Sequence, residues 1–150
     1  MLFLLFQIGH DIYALDTRQI VEVLPLVNVK RVPKAPKAVS GLFTYHGMTM
    51  PLVDLSLLAN SSESHRVMST RIVVLRYPDP RGKERTLGLI VEKTRATLRR
   101  SEEDFTDTDV AGAAFLGGVT RDGDRIVQRI RVEHLLSGEL LDQLFQAGPQ

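Results

Sequence analysis

A weak internal repeat is the feature that most constrains the fold of this 150-residue chain. In the first half, a glycine pair spans Gly41–Gly47 and is followed by Asp54-Leu55. In the second half, a pair with the same spacing spans Gly117–Gly123 and is followed, one residue further on, by Arg131-Val132. Both copies have the pattern of a strand, a glycine turn, a second strand and a short helix. Duplication predicts two similar β-structures, and chance likeness of two hairpins is the alternative.

A polar stretch between the two copies predicts where the halves of the chain meet. Asn60–Ser64 is polar, lacks periodicity and is typical of a linker. We therefore predict an all-β chain of two small barrels, with subdomain 1 at about 1–58, a linker at about 59–69 and subdomain 2 at about 70–131. Apolar residues in the tail recur at helical spacing, which predicts a C-terminal helix at about 132–146.

The composition is that of an ordinary globular protein and excludes several classes of function. Hydrophobic residues make up 43% and charged residues 25% of the chain, both within the usual range. The net charge of +1 argues against a protein that coats nucleic acid or acidic membranes. The absence of Cys excludes disulfides, thiolate metal sites and cysteine nucleophiles. Met1–Phe6 is apolar but too short for a signal peptide or a membrane span, so we predict a cytoplasmic protein without membrane insertion.

No motif in the sequence carries catalytic or cofactor chemistry. The four His residues form no HExxH or HxxxH pair, and a metal site needs several converging ligands. The acidic segment Glu102–Asp109 begins like a calcium loop but does not continue that pattern. Neither a glycine-rich phosphate loop nor a nucleophile elbow occurs. We therefore predict no catalytic residues, no metal, no cofactor and no enzymatic activity.

Two local basic runs leave nucleic-acid binding as an alternative. They consist of Lys30, Arg31, Lys34 and Lys37, and of Arg95, Arg99 and Arg100. Small barrels do bind RNA, but proteins that bind single strands combine a basic groove with stacking aromatic side chains. In this chain Val and Pro, not aromatic residues, are interleaved with the first run. The residues alone therefore favour an interaction module that binds other proteins through its grooves and strand edges.

Several motifs, in order and in spacing, resemble those of CheW-like chemotaxis coupling proteins. The motifs are Phe6–Leu15, Ile20–Val23, Val32–Pro36, Gly41–Gly47, Met50–Leu55, Leu87–Glu92 and Phe115–Val119. The similarity extends from about residue 4 to residue 145 and is strongest in the first half. It implies two SH3-like five-stranded β-barrel subdomains with short helices and no enzymatic activity.

The resemblance also implies specific partners. CheW-like proteins are adaptors that couple the cytoplasmic tips of methyl-accepting chemotaxis receptors to the regulatory domain of a CheA-type histidine kinase. Such an adaptor works through shared interfaces, by which the state of the receptor biases the state of the kinase. The resemblance therefore implies a protein that is a monomer on its own and is recruited to large receptor arrays at the membrane.

The family pattern extends to a small set of residues. Glu22 matches the Glu of the family's V-x-E motif, and Gly41 and Gly47 match the glycines that flank its N-[LIV]-R-G turn. His46 stands where the family usually has Arg, so the Glu–Arg pair near the partner-facing surface is expected here as Glu22 with His46. The partner-binding residues predicted from the resemblance and the neighbouring proline loop are Ile20, Glu22, Pro33, Lys34, Pro36, Gly41, Tyr45, His46 and Gly47.

The departures from the family pattern suggest two further hypotheses. Because His titrates near neutrality and Arg does not, the Glu22–His46 contact is expected to be pH-sensitive, unless His46 is simply exposed in its turn. The Tyr45-His46-Gly47 turn is similar to that of WspB-type adaptors, which serve surface-sensing pathways that control cyclic di-GMP. Arg131 and Glu92 stand where many members have Asp, so the second half departs from the family pattern at these two positions.

Overall fold

The protein is an all-β molecule of ten strands and one short helix in the part of the chain that the structure describes. The computed structural model describes residues 1–27, 29–33, 35, 38–60, 62, 64–79, 81–108 and 113–136. The strands are β1 (Leu2–Ile8), β2 (Asp11–Asp16), β3 (Ile20–Pro25), β4 (Val39–Tyr45), β5 (Met48–Asp54), β6 (Arg71–Pro78), β7 (Glu84–Val91), β8 (Lys93–Arg99), β9 (Leu116–Asp122) and β10 (Arg125–Ile130). Helix α1 spans Leu55–Asn60, and single 3-10 turns span Thr17–Gln19, Glu102–Asp104 and Val132–His134. The predicted fold class is confirmed.

The strands form two five-stranded sheets with the same internal arrangement. Sheet I has the order β8-β1-β2-β10-β9, and sheet II has the order β3-β6-β7-β5-β4. In each sheet a central antiparallel hairpin, β1–β2 or β6–β7, pairs in parallel with the last strand of a second hairpin. The β4–β5 and β9–β10 hairpins, which carry the repeated glycines, occupy equivalent places. The repeat expected from the glycine spacing is therefore real.

The predicted division of the barrels at residues 59–69 is wrong, because each sheet takes strands from both halves of the chain. After the β1–β2 hairpin the chain leaves sheet I, and β3 pairs with β6 in sheet II. After the β6–β7 hairpin it leaves sheet II, and β8 pairs with β1 in sheet I. Subdomains at 1–58 and 70–131 therefore correspond to the two repeats but not to the two sheets.

The segment predicted as a linker connects two strands of the same sheet. Helix α1 extends to Asn60, and the chain then returns to β6 in sheet II. Ser64 is buried, and its hydroxyl and backbone N–H donate to the carboxylate of Asp54 at 2.6 and 3.0 Å. This connection is thus partly fixed to the sheet that it serves. It does not join two separate bodies.

The predicted C-terminal helix lies mostly outside the described residues, which end at 136. The part that is described begins with the 3-10 turn at Val132–His134. Val132, Leu135 and Leu136 are buried there against the main core, so the apolar spacing of the tail does report burial at its start.

The buried apolar residues of the described ranges form three clusters, and the largest lies between the sheets. It combines Phe6 and Leu15 of sheet I with Val73, Leu75 and other residues of sheet II. A smaller cluster fills each sheet's own concave side, around Phe43 in sheet II and around Phe3 in sheet I. Because central strands are buried on both faces, they have continuous apolar runs rather than alternation, as in Ile72–Leu75. The two sheets therefore form one packed unit.

Short bridges extend one edge of each sheet in an equivalent way. Lys30 and Leu42 exchange two backbone hydrogen bonds of 2.9 and 2.8 Å beside β4. Thr106 and Val119 exchange two of 2.8 and 2.9 Å beside β9. The chain thus covers the outer side of β4 and of β9 with the segment that follows β3 and β8, respectively.

No helix in the described ranges is long and apolar enough to cross a membrane.

Candidate functional site

The most distinctive polar cluster links side chains of the two edge strands of sheet II. Strands β3 and β4 are at opposite ends of the strand order. Even so, the hydroxyl of Tyr45 on β4 donates a hydrogen bond of 2.6 Å to Oε2 of Glu22 on β3. We call this cluster of Glu22, Tyr45 and His46 the seam cluster. It brings together three of the residues predicted to bind partners.

The turn between β4 and β5 presents His46 to solvent. His46 and Gly47 connect Tyr45 to its cross-strand neighbour Met48, and their φ angles are 47° and 77°. Two successive positive φ angles are typical of the tight turns that suit the twist of a hairpin. The ring of His46 packs edge-on against that of Tyr45, with 4.3 Å between centroids. The turn thereby holds the imidazole beside the phenol.

The structure brings Glu22 and His46 close together, as the resemblance implied. Nε2 of His46 lies 3.9 Å from Oε2 of Glu22, and the His46 side chain is 75% exposed. This distance permits an electrostatic contact but is too long for a hydrogen bond. The partner-binding role of the pair and its pH sensitivity stay predictions.

The hydrogen bond to Glu22 has a clear effect on Tyr45. The acceptor stabilises the protonated phenol, so the bond raises the pKa of Tyr45 above its usual value, and burial and the charge of Glu22 raise it further. The nearby charge of Arg76 has a smaller, opposite effect. The phenol therefore stays protonated and remains a hydrogen-bond donor over the physiological pH range.

Gly41 serves backbone packing near the start of β4, away from the seam cluster. It has a φ of 151°, and a Cβ at this position would overlap the carbonyl oxygen of Lys30 and lie 2.7 Å from Cγ1 of Val29. Gly41 is buried and sits at an irregularity in the β4–β5 pairing. Only glycine allows the Lys30 segment to approach β4 this closely. Packing within the protein therefore explains why position 41 is glycine, without any role in binding a partner protein.

The remaining predicted residues are not gathered at one point. Ile20 is half-buried and packs against the main core, so it supports β3 from within. Pro33 is exposed in a turn, whereas Lys34 and Pro36 lie outside the described residues. The sequence did not single out Val21 and Val23, which flank Glu22 and are 37% and 39% exposed, or Met48, which is 53% exposed. The sequence did contain a signal for the two valines, because a predicted strand that places apolar residues on both sides of an acid is typical of an exposed binding strand.

Two departures from the family pattern have structural explanations. The carboxylate of Glu92, where β7 passes into β8, accepts the N–H groups of Gly9 and His65 at 2.7 Å each, so it ties a sheet I turn to the segment before β6. Arg131 occupies the place that Asp54 has in the other repeat, and its half-exposed side chain lies 3.7 Å from Asp107. Neither residue lies in the seam cluster.

A polar cleft of about 290 Å³ beside the first 3-10 turn does not have the features of a catalytic or anion-binding centre. Arg18 contacts Asp16 at 2.6 Å, and Arg129 contacts Glu102 at 2.9 Å, so these charges are paired. Burial opposes the shift, but hydrogen bonds from Arg18 and the charges of Arg18 and Arg129 lower the pKa of Asp16 overall. Among the residues described, no group of three or more His, Asp or Glu side chains is placed to hold a metal ion.

Comparison with known proteins identifies the family. The CheW-like domain pattern matches residues 2–140. The chain belongs to the CheW-like domain family. It is 27% identical over 139 residues to the chemotaxis protein CheW of Helicobacter pylori, covering 89% of this chain and 80% of that one. It is also 27% identical over 139 residues to CheW of Thermotoga maritima, covering 85% and 88%.

A solved structure agrees with the fold. The scaffolding protein TtCheW from Thermoanaerobacter tengcongensis superposes with a TM-score of 0.79 at 21% identity, covering 91% of this chain and 87% of that one. The CheW-like resemblance and its two five-stranded sheets are therefore confirmed. Members of the family are scaffolds or adaptors and not enzymes.

Proposed function

We propose that the protein is an adaptor that couples methyl-accepting chemotaxis receptors to the regulatory domain of a CheA-type histidine kinase. The family match over residues 2–140 carries this proposal. The seam cluster supports it, because the V-x-E glutamate and the β4–β5 turn meet at an exposed place on β3 and β4. In this account the adaptor is a monomer on its own and joins receptor arrays at the cytoplasmic side of the membrane.

The receptor-binding surface in this proposal is the seam cluster with its exposed apolar neighbours. Val21, Val23 and Met48 provide apolar area, and Glu22 and His46 provide charge. An apolar patch with a polar rim is typical of protein-binding surfaces. Lys34, which was predicted from the sequence to attract an acidic partner, lies outside the described residues.

A retention experiment tests the proposal directly. The tagged protein is incubated with the kinase regulatory region, with the receptor cytoplasmic tip, and with both. Retention of both supports the adaptor function, and retention of neither by the folded protein contradicts it. A single-stranded RNA arm tests the alternative of nucleic-acid binding, which requires retention that falls steeply as salt rises. The structure favours protein partners, since Arg95 is bonded to Gln7 and no aromatic residue lies on β8.

Charge reversal at Glu22 tests the surface itself. Glu22→Lys is expected to weaken receptor-tip binding about tenfold while the cooperative thermal melt is kept, because this side chain is 45% exposed. Asp124→Lys, the same charge reversal in the exposed β9–β10 turn, is the matched control and is expected to preserve binding. Loss of the cooperative melt in Glu22→Lys would show that Glu22 is structural and that its assignment to the surface is wrong.

A WspB-type adaptor in a surface-sensing pathway is a second candidate, favoured by the Tyr45-His46-Gly47 turn. The two candidates differ in the receptor and kinase that bind and in the output. Deletion of the gene would alter cyclic di-GMP on surface contact in the second case. It would alter swimming behaviour in the first.

A further inference from the structure

The two oxygens of the Glu22 carboxylate have different surroundings. Oε2 accepts the hydrogen bond from Tyr45 at 2.6 Å and is also the oxygen that lies 3.9 Å from His46. Within the described residues, no hydrogen bond or ion pair reaches Oε1. The Glu22 side chain is 45% exposed, so a group from outside the molecule has access to it. One oxygen is thus held from within and the other is left for an external donor.

The donor that binds Oε2 is uncharged, so the hydrogen bond leaves the negative charge of the carboxylate in place. A phenol fixes the carboxylate without cancelling its negative charge, whereas a guanidinium would cancel that charge and bind both oxygens at once. The nearest cation that influences Tyr45, Arg76, has its own partner in Glu84 at 3.8 Å. Glu22 therefore presents a full negative charge that no other side chain in the described ranges neutralises at hydrogen-bond distance.

The strands that carry the seam cluster fix the positions of Glu22 and Tyr45. Glu22 is anchored through the pairing of β3 with β6, and Tyr45 through the pairing of β4 with β5. A carboxylate held in this way loses little rotamer freedom when a partner binds, because its orientation is set beforehand.

We propose that Tyr45 is a positioning residue that holds Glu22 so that Oε1 accepts a hydrogen bond from a basic side chain of the bound partner. The partner surface is then apolar with one Lys or Arg placed over Glu22. This inference rests on the proposed function of the same surface. It goes further by assigning a role to Tyr45 and a charge to the partner.

A double-mutant cycle on receptor-tip binding tests the proposal. The affinity of the purified receptor tip is measured by calorimetry for the wild type, Tyr45→Phe, Glu22→Gln and the double variant, at low and at moderate salt. Tyr45→Phe is expected to weaken binding about three- to tenfold and Glu22→Gln about tenfold or more. The double variant is expected to bind no worse than Glu22→Gln, because Tyr45 acts only through Glu22. Glu22→Gln should also lose part of the salt dependence.

Control variants separate positioning from general structural effects. Tyr13→Phe makes the same chemical change on β2 of sheet I and is expected to leave binding unchanged. If Tyr45→Phe does not fold, Glu22→Asp takes its place, because the shorter side chain draws the carboxylate away from the 2.6 Å contact.

The outcomes are distinguishable from failure of the proposed function. No binding of the wild type contradicts the adaptor proposal itself. Wild-type binding that neither Tyr45→Phe nor Glu22→Gln weakens overturns the positioning role and leaves the adaptor proposal standing. Additive losses in the double variant would also overturn it, since Tyr45 would then contact the partner independently of Glu22.

Discussion

Among single residues, Gly41 shows that a residue of a family motif can be required for packing and not for partner binding. The resemblance placed it among the partner-binding residues, together with Glu22 and His46. The structure gives it a packing reason, because the Lys30 segment passes where a side chain would stand. Gly47, by contrast, has open space around its Cβ position and is needed only for its φ of 77°. Two glycines of one motif therefore have different physical causes.

Alanine substitutions measure this difference. Gly41→Ala is expected to lower the free energy of unfolding by about 3 kcal/mol, through backbone strain and overpacking against Lys30. Gly47→Ala is the matched control and is expected to cost about 1 kcal/mol, from its left-handed φ alone. Urea unfolding of the two variants checks both values. Equal costs would contradict the close approach of Lys30 to β4.

At the scale of elements, the two repeats end in different ways. After β5, the buried Asp54 carboxylate accepts N–H groups of Ser56 and Ser64 and the hydroxyl of Ser64, with distances between 2.6 and 3.0 Å. This bonding starts helix α1 and fixes the segment that returns to β6. After β10 the equivalent residue is Arg131, which is half-exposed and contacts Asp107. The same hairpin is therefore followed by a buried cap in one repeat and by a surface ion pair in the other.

This difference predicts unequal effects on stability. Asp54→Ala leaves several buried donors without an acceptor and is expected to destabilise the protein by about 2–3 kcal/mol. Arg131→Ala removes a half-exposed ion pair and is expected to change the free energy of unfolding by less than about 1 kcal/mol. Thermal melts of the two variants provide the comparison. A larger loss for Arg131→Ala would show that the second repeat depends on its own cap.

The sequence alone could predict the hairpins but not how the strands of different hairpins pair. Glycine spacing and apolar runs predict the hairpins, because turn chemistry and burial are local properties. The pairing of β3 with β6 has no local signal, since the apolar pattern of a strand reports its buried face and not its neighbour at the edge. The bond between Glu22 and Tyr45 joins residues 23 apart in sequence and depends on that pairing. The resemblance pointed to Glu22, Tyr45 and His46, but the hydrogen bond between Tyr45 and Glu22 required the three-dimensional arrangement.

At the scale of the whole molecule, the exchange of strands between repeats makes the protein one unit. Sheet I needs β8, β9 and β10 from the second repeat, and sheet II needs β3, β4 and β5 from the first. The largest core cluster lies between the sheets and adds to this dependence. Neither repeat contains a complete sheet, so neither has a core that it can close alone.

Fragment complementation tests the exchange. Residues 1–66 and 67–150, prepared separately, are each expected to lack a cooperative melt, because each would expose unpaired strand edges and half of the shared core. Mixed in equal amounts, they are expected to recover the circular dichroism spectrum of the intact chain. A half that folds alone with dispersed amide resonances would contradict the observed strand order.

We propose that this chain makes a kinase responsive to a receptor through the surface that contains Glu22. The most direct measurement is autophosphorylation of the CheA-type kinase with receptor-containing membranes, in the presence and absence of the protein. We predict that receptor stimulus changes kinase activity when the wild-type protein is present, and that folded Glu22→Lys greatly reduces this response. Kinase activity that responds equally to the receptor with and without the protein would contradict the adaptor function.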